Sequence, residues 1–230
     1  MSLHDEVRAA FHRGDNERTR ELAEELRRSG HEIDGLCWLA RAAGRDGDAE
    51  VAKRLADEAR EVARRQGDEE AERMPLHLQA FGARLSGDTD EARRLYLESI
   101  ELNRRLGHDF VAAELHNLGY VELHAGNLAR AKELFEEALG EARERSLERL
   151  VPYLVLDRGV IAVEEGDAET GVKLLACGQA AFDAKGELVD PDDAAEVERA
   201  REQAQGLLDP KTFAAAEDEG RRLSPEEALS

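Results

Sequence analysis

The sequence contains little of what enzymes, metalloproteins and membrane proteins commonly use. Its 230 residues include only two cysteines, five prolines and ten aromatic residues (one Trp, three Tyr and six Phe). The motifs H-E-x-x-H, C-x-x-C and G-x-S-x-G and a Gly-rich phosphate loop do not occur in it. No apolar run approaches the roughly 20 residues that a membrane-spanning helix requires. We therefore predict a non-enzymatic protein with no catalytic residue, no cofactor and no metal.

Positive charge is also scarce. The chain has 32 Lys and Arg against 52 Asp and Glu, a formal net charge of −20 at pH 7. A chain this acidic is repelled by the phosphates of nucleic acids and by anionic lipids. We therefore expect neither nucleic acid nor membrane among its partners. The first residues lack the basic-then-apolar order of a signal peptide, so the predicted location is cytoplasmic.

What the sequence does contain is a phased repeat. A Gly followed by Asp or Asn recurs at intervals of 33, 40, 39 and 40 residues, and the residue five positions after each Gly is small. Gly supplies the positive φ that ends one helix, and Asp or Asn caps the next. This pattern predicts helix pairs with turns at Gly14, Gly47, Gly87, Gly126 and Gly166, and close helix contacts at Thr19, Ala52, Ala92, Ala131 and Gly171.

The stretch 112–139 carries the strongest form of the pattern. Small residues at Gly119 and Ala131 allow two helix axes to approach, and Phe135 fills the space beside them. With Leu115 and Leu118 they resemble the tetratricopeptide repeat (TPR). The resemblance implies an all-α fold, a right-handed α-solenoid of about five antiparallel helix pairs. The interval of about 40 residues exceeds the standard 34, which adds helical turns to each repeat.

The repeat pattern ends at residue 186, so we predict TPR-like repeats over 1–186 and capping helices over 187–230. Asp190-Pro191, Asp209-Pro210 and Ser224-Pro225 each have the form of a helix start. A solenoid needs such a cap over its last apolar face.

The last quarter of the chain carries a second resemblance. The segments 174–182, 198–199, 213–216 and 219–229 are similar to the end of the TPR-like region in bacterial LuxR-type and related signal-transduction ATPase regulators. The resemblance implies a regulatory arm. The nucleotide-binding and DNA-binding activities of that family are not implied, because this chain has no phosphate-binding motif and no basic recognition helix.

The TPR resemblance also implies a binding groove, lined by the first helix of each pair. Aromatic and Arg residues, the usual anchors of interfaces, are concentrated there. An alternative is that the aromatics fill the core, that Tyr153 packs against the cap, and that the Arg residues pair with carboxylates such as Asp34. The groove positions are Trp38, Arg41, Arg45, His77, Phe81, Arg84, His116, Asn117, Tyr120, His124 and Tyr153.

We interpret the chain as a scaffold that binds a peptide or protein segment in this groove. Its basic end, at Arg41, Arg45 and Arg84, favours a partner with an acidic segment. The alternative is an effector-sensing arm of a bacterial signal-transduction or transcription-regulator system. The sequence leaves the oligomeric state and the identity of the partner open.

Overall fold

The computed structural model describes residues 2–230, which form thirteen α-helices and no β-strand. The predicted all-α class is therefore confirmed. Within this range no helix combines the length and apolarity needed to cross a bilayer. The helices are α1 (Leu3–His12), α2 (Asn16–Arg28), α3 (Glu32–Arg45), α4 (Ala49–Gln66), α5 (Glu69–Leu85), α6 (Thr89–Leu106), α7 (Val111–His124), α8 (Leu128–Glu144), α9 (Val151–Glu164), α10 (Ala168–Lys185), α11 (Pro191–Leu207), α12 (Pro210–Gly220) and α13 (Pro225–Ala228).

Each of the five glycines named in the repeat pattern lies between two helices. These glycines all have positive φ, between 77° and 89°. Four of the following residues cap the next helix by accepting a hydrogen bond from a backbone N–H. Asn127 is the exception, because its side chain makes no such capping bond. The four capping residues are Asp15, Asp48, Asp88 and Asp167.

The long repeat interval is explained by the second helices of the pairs. Helices α4, α6 and α10 each have 18 residues, whereas α3 and α9 have 14. Each long helix ends on a glycine in the left-handed conformation, namely Gly67, Gly107 and Gly186. A left-handed glycine reverses the chain and satisfies the last carbonyls. The repeat is therefore extended by about one helical turn in its second helix.

The chain divides into two compact units, of which the first ends at Ala125. In this unit each helix from α1 to α7 packs on its neighbour in sequence, and α3 also contacts α5. Contacts between every second helix are what stacked helix pairs require. The α2–α3 contact is very close, because a Cβ atom on Gly35 would lie 2.5 Å from the carbonyl oxygen of Ala23.

The second unit, Gly126–Ser230, is built around α9 and α10. Glycines let these two helices touch. A Cβ atom on Gly178 would lie 2.5 Å from Cδ2 of Leu156, and one on Gly171 would lie closer than 3.0 Å to Cγ2 of Val163. Gly171 is one of the five small residues that the sequence pattern places at close helix contacts. The predicted fourth pair contributes α7 to the first unit and α8 to the second.

The tail, 187–230, packs within the second unit. Helix α12 lies along α10, and α11 contacts both α9 and α10. Arg143 on α8 donates a hydrogen bond to the carbonyl oxygen of Leu229 (2.5 Å). The Ser224 capping box is present, but Asp190 makes no capping bond at the start of α11. The division into repeats and cap after residue 186 stays a prediction, which this packing supports.

Ser146 offers a test of backbone strain. It follows α8 and has φ 55°, a left-handed conformation that disfavours side chains. We expect Ser146→Gly to raise the free energy of unfolding by up to about 1 kcal/mol, because glycine adopts this conformation without strain. Urea denaturation measures the change. Ser86, which follows α5 with φ −79°, is the control, and a similar gain from Ser86→Gly would contradict the strain argument.

Candidate binding surface

Trp38 and two arginines form a half-exposed cluster on α3. Trp38 lies beside the buried ring of Phe11, with ring centroids 5.6 Å apart. The Arg41 guanidinium lies 5.0 Å from the Phe11 ring and 5.2 Å from the Trp38 ring, and that of Arg45 lies 4.1 Å from Phe11. Trp38, Arg41 and Arg45 each remain partly exposed. We call Phe11, Trp38, Arg41 and Arg45 the Trp38 cluster.

Cation–π contact holds the arginines of the Trp38 cluster against aromatic rings. Guanidinium groups within about 6 Å of an aromatic centroid are attracted to the ring face. Ordered side chains lose less entropy when they bind. The cluster is thus a preorganised surface that combines apolar area with positive charge.

Phe81 of α5 packs directly on α3. A Cβ atom on Gly44 would overlap its ring, closer than 3.0 Å to Cε1. Phe81 is half-buried and lies against a core that includes Leu36, Cys37 and Leu78. The Phe81 ring therefore packs between α3 and α5, and only part of it is accessible to solvent.

The structure buries four of the predicted groove residues on or near α7. Arg84, His116, Asn117 and Tyr120 are 7%, 3%, 9% and 0% exposed. Arg84 donates a hydrogen bond to Oδ1 of Asn117 (2.8 Å), and its guanidinium lies 4.8 Å from the Tyr120 ring. Tyr120 is therefore a core residue, as in the sequence-based alternative in which aromatics fill the core.

The Asn117 side chain forms hydrogen bonds within the protein. Besides accepting from Arg84, its amide nitrogen donates to the carbonyl oxygen of Ala113 (2.9 Å). These two bonds hold the side chain in place. In this conformation Asn117 serves as a partner for Arg84.

His77, also predicted to line the groove, belongs to a buried polar network. Oε2 of Glu114 accepts from Nδ1 of His77 (2.9 Å), and Oε1 accepts from the Ser99 hydroxyl (2.5 Å). Asn103 donates to the Ser99 carbonyl (2.8 Å) and accepts from Nε of Arg73 (2.7 Å). Glu114 is 0% exposed. Both carboxyl oxygens of Glu114 therefore have hydrogen-bond partners, as buried polar groups require.

The two remaining predicted residues lie apart from the Trp38 cluster. His124 is exposed at the end of α7. Tyr153 belongs to the second unit, where its ring lies 4.8 Å from that of Phe182 and its hydroxyl donates to Asp190 (3.4 Å). Phe182 belongs to α10 and Asp190 to the tail, so Tyr153 contacts both the last predicted repeat and the tail.

A cleft of about 370 Å³ lies at the amino-terminal ends of α3 and α5. Acidic side chains dominate its charge. Hydrogen bonds from His108 and then from Arg73 hold the pKa of Glu70 below its ordinary value, so this carboxylate is charged at neutral pH. The other acidic residues that line the cleft are Glu32, Asp34 and Asp68. The apolar part of the lining includes Ile33, Met74 and Phe110.

Phe11 and Glu114 were not predicted from the sequence. Phe11 lies in the short first helix pair, for which no groove positions were assigned. Glu114 looks like any other residue on a charged helix, because its partners come from α5 and α6. The glutamate among apolar residues in α7 is the one local signal that could have been used.

The two cysteines lie in different units and are both free. Burial raises the pKa of the Cys37 thiol. Burial, and then the charges of Glu226 and Glu227, raise that of Cys177. A protonated thiol is a poor nucleophile, so neither cysteine is activated for chemistry.

Comparison with known proteins supports the repeat assignment over part of the chain. A tetratricopeptide-repeat family model matches residues 74–144, from within α5 to the end of α8. The match covers just under a third of the chain. No curated protein matches the sequence significantly.

Two solved structures have similar folds. BtubC (BKLC) from P. vanneervenii has a TM-score of 0.59 and 18% identity over 100% of this chain and 92% of that chain. A Rap protein complexed with Competence and Sporulation Factor has a TM-score of 0.64 and 17% identity, over 92% of this chain and 64% of that chain. At these identities the likeness concerns the fold, which is that of the helical-repeat proteins.

Proposed function

We propose that this protein is a non-enzymatic interaction scaffold that binds an acidic peptide or protein segment at the Trp38 cluster. The observation that carries the proposal is a half-exposed Trp38 with Arg41 over its ring, beside a Phe11 ring that Arg45 covers, on a chain of net charge −20. Trp and Arg are the residue types most enriched at interface hot spots. The helical-repeat fold supports the proposal, since stacked helix pairs commonly present binding surfaces.

The charges specify the partner further. Arg41 and Arg45 are one helical turn apart on α3, so they present two guanidinium groups along one line. A guanidinium group can bind a carboxylate through two parallel hydrogen bonds. Trp38 then accepts an apolar side chain of the same segment. The partner segment therefore combines acidic residues with an aromatic or aliphatic residue.

Truncating Trp38 is the first test. A peptide is selected from a random display library on the full chain, and its affinity is measured by calorimetry. We expect Trp38→Ala to weaken binding roughly 30-fold, or about 2 kcal/mol, because an interface anchor is lost. We expect the double variant Arg41→Glu, Arg45→Glu to weaken binding and to flatten its salt dependence.

The control for the charge reversal is Arg54→Glu. Arg54 is exposed on α4, outside the Trp38 cluster, and its substitution should leave the affinity within about twofold. Circular dichroism checks that each variant is folded. Unchanged affinity in both cluster variants would place binding elsewhere on the protein.

The acidic cleft favours a second candidate, the effector-sensing arm. Four carboxylates around Met74 and Phe110 suit a small cationic molecule with an apolar part. The resemblance of the last quarter to signal-transduction regulators agrees with this role and stays a prediction. A thermal-shift screen with small cations tests it, and Glu32→Gln with Asp68→Asn should abolish any shift.

A further inference from the structure

Two histidines and an aspartate converge at the amino-terminal end of the first unit. His4 lies on α1, His31 precedes α3, and Asp34 lies in the first turn of α3. Oδ2 of Asp34 is 3.0 Å from Nε2 of His4 and 4.0 Å from Nδ1 of His31, and all three ligand atoms lie within 4.8 Å of one another. His4 and His31, which are 27 positions apart in sequence, thus lie beside the same oxygen atom of Asp34.

The separations are close to those of metal ligands. In a tetrahedral zinc site with Zn–N and Zn–O distances of about 2.0–2.1 Å, the ligand atoms are about 3.3 Å apart. The distances to Asp34 fall on either side of that value. Small side-chain rotations are enough to bring the three atoms into position, since all three side chains are between 39% and 53% exposed.

The His31 side chain has no role as a helix cap. The positions before α2, α4, α5, α6 and α10 hold aspartates that cap their helices, whereas those before α7 and α9 hold Phe110 and Leu150, which do not. His31 stands at this position before α3, and its side chain makes no capping bond. Its imidazole therefore lies beside Asp34 and does not bond to the end of the helix.

We propose that His4, His31 and Asp34 bind a divalent transition-metal ion of the zinc type. Imidazole nitrogen and carboxylate oxygen are ligands that zinc accepts, whereas magnesium and calcium require oxygen ligands. Three protein ligands leave a coordination position open for water or for a group of another molecule. The ion joins α1 to α3 and so holds the terminal helix in place.

The test uses the full chain without a histidine tag. Titration with Zn²⁺ alone, followed by calorimetry, is expected to show one site per chain, and Mg²⁺ at the same concentration is expected to give no heat. Co²⁺ is expected to give visible absorption bands of a low-coordinate site. Zinc should also slow amide hydrogen exchange in α1, because the metal ties this helix to α3.

Each ligand is then removed in turn. His4→Ala, His31→Ala and Asp34→Asn are each expected to weaken zinc binding at least about tenfold and to abolish the protection of α1. His12→Ala, which removes an α1 histidine outside the group, should bind zinc as the wild type does. His4→Gln provides a second variant that can still hydrogen-bond Asp34, in case His4→Ala unfolds α1.

The competing explanation is a hydrogen-bonded surface group without a metal. It predicts no zinc heat in the wild type, and that result overturns the proposal. Zinc affinity equal to that of the wild type in His4→Gln, in His31→Ala or in Asp34→Asn also overturns it, because the ion would then be bound elsewhere on an acidic chain.

Discussion

Replacing Gly220 by alanine is expected to destabilise the second unit by about 2–3 kcal/mol or more. Gly220 ends α12 where this helix touches the backbone of α10, and a Cβ atom there would lie closer than 3.0 Å to the carbonyl oxygen of Lys173. The obstacle is backbone, which cannot rotate away as a side chain can. Relief therefore requires α12 to move away from α10, and overpacking of this kind typically costs 1–3 kcal/mol.

Gly206 provides a matched control in the same unit. It lies within α11, and a Cβ atom there would have nothing within 4 Å. Gly206→Ala should therefore raise stability by about 0.5–1 kcal/mol, because alanine is the better helix former. The two substitutions are chemically identical and are predicted to have opposite signs.

Hydrogen exchange resolves the effect by segment. This matters because a chain with two compact units can unfold in more than one step. We expect Gly220→Ala to accelerate exchange in α12 and in the facing part of α10. If its exchange and melting temperature equal those of the wild type, the close contact between α12 and α10 is not present in solution.

The second large effect is expected at Glu114. Glu114→Ala removes the acceptor shared by His77 and Ser99 and leaves a cavity between α5, α6 and α7. Buried donors without partners cost about 1–3 kcal/mol each, and the cavity adds to this. We therefore expect a loss of about 3–5 kcal/mol in the free energy of unfolding, because the two unpaired donors and the cavity contribute together.

The measurement can be confined to the first unit. Trp38 is the only tryptophan of the chain, so urea denaturation followed by its fluorescence reports on that unit. Glu114→Gln keeps the volume and loses the charge, which gives an intermediate loss of about 1–3 kcal/mol. Glu101→Ala, at an exposed position on α6, should stay within about 0.5 kcal/mol of the wild type. An unchanged midpoint for Glu114→Ala would show that the buried network does not stabilise the protein.

The sequence was sufficient for the helix pairs because their signals are local. A glycine with positive φ followed by a capping aspartate acts within one turn of the chain, and Gly47-Asp48 and Gly87-Asp88 show this directly. The exception is Asn127, whose identity suggested a cap that its side chain does not make. A local sequence pattern indicates which hydrogen bonds a side chain can make, and the surrounding structure decides which of them form.

The exposure of the predicted groove residues followed less completely from the sequence. Trp38, Arg41 and Arg45 are partly exposed and lie together on α3. Tyr120 is fully buried, although its place in the repeat is equivalent. Periodicity identifies a face of a helix, but it contains no information about which helices later cover that face.

By itself, then, the sequence determined the all-α class, the positions of the turns and the acidic character of the surface, since each depends on composition or on neighbours along the chain. Only the tertiary structure decided that Glu114 joins His77 to Ser99, that Gly220 meets the backbone at Lys173, and that His4 reaches His31 and Asp34. These contacts join residues on different helices. Their partners are set by how the helices pack, and the spacing of residues in one helix does not encode that.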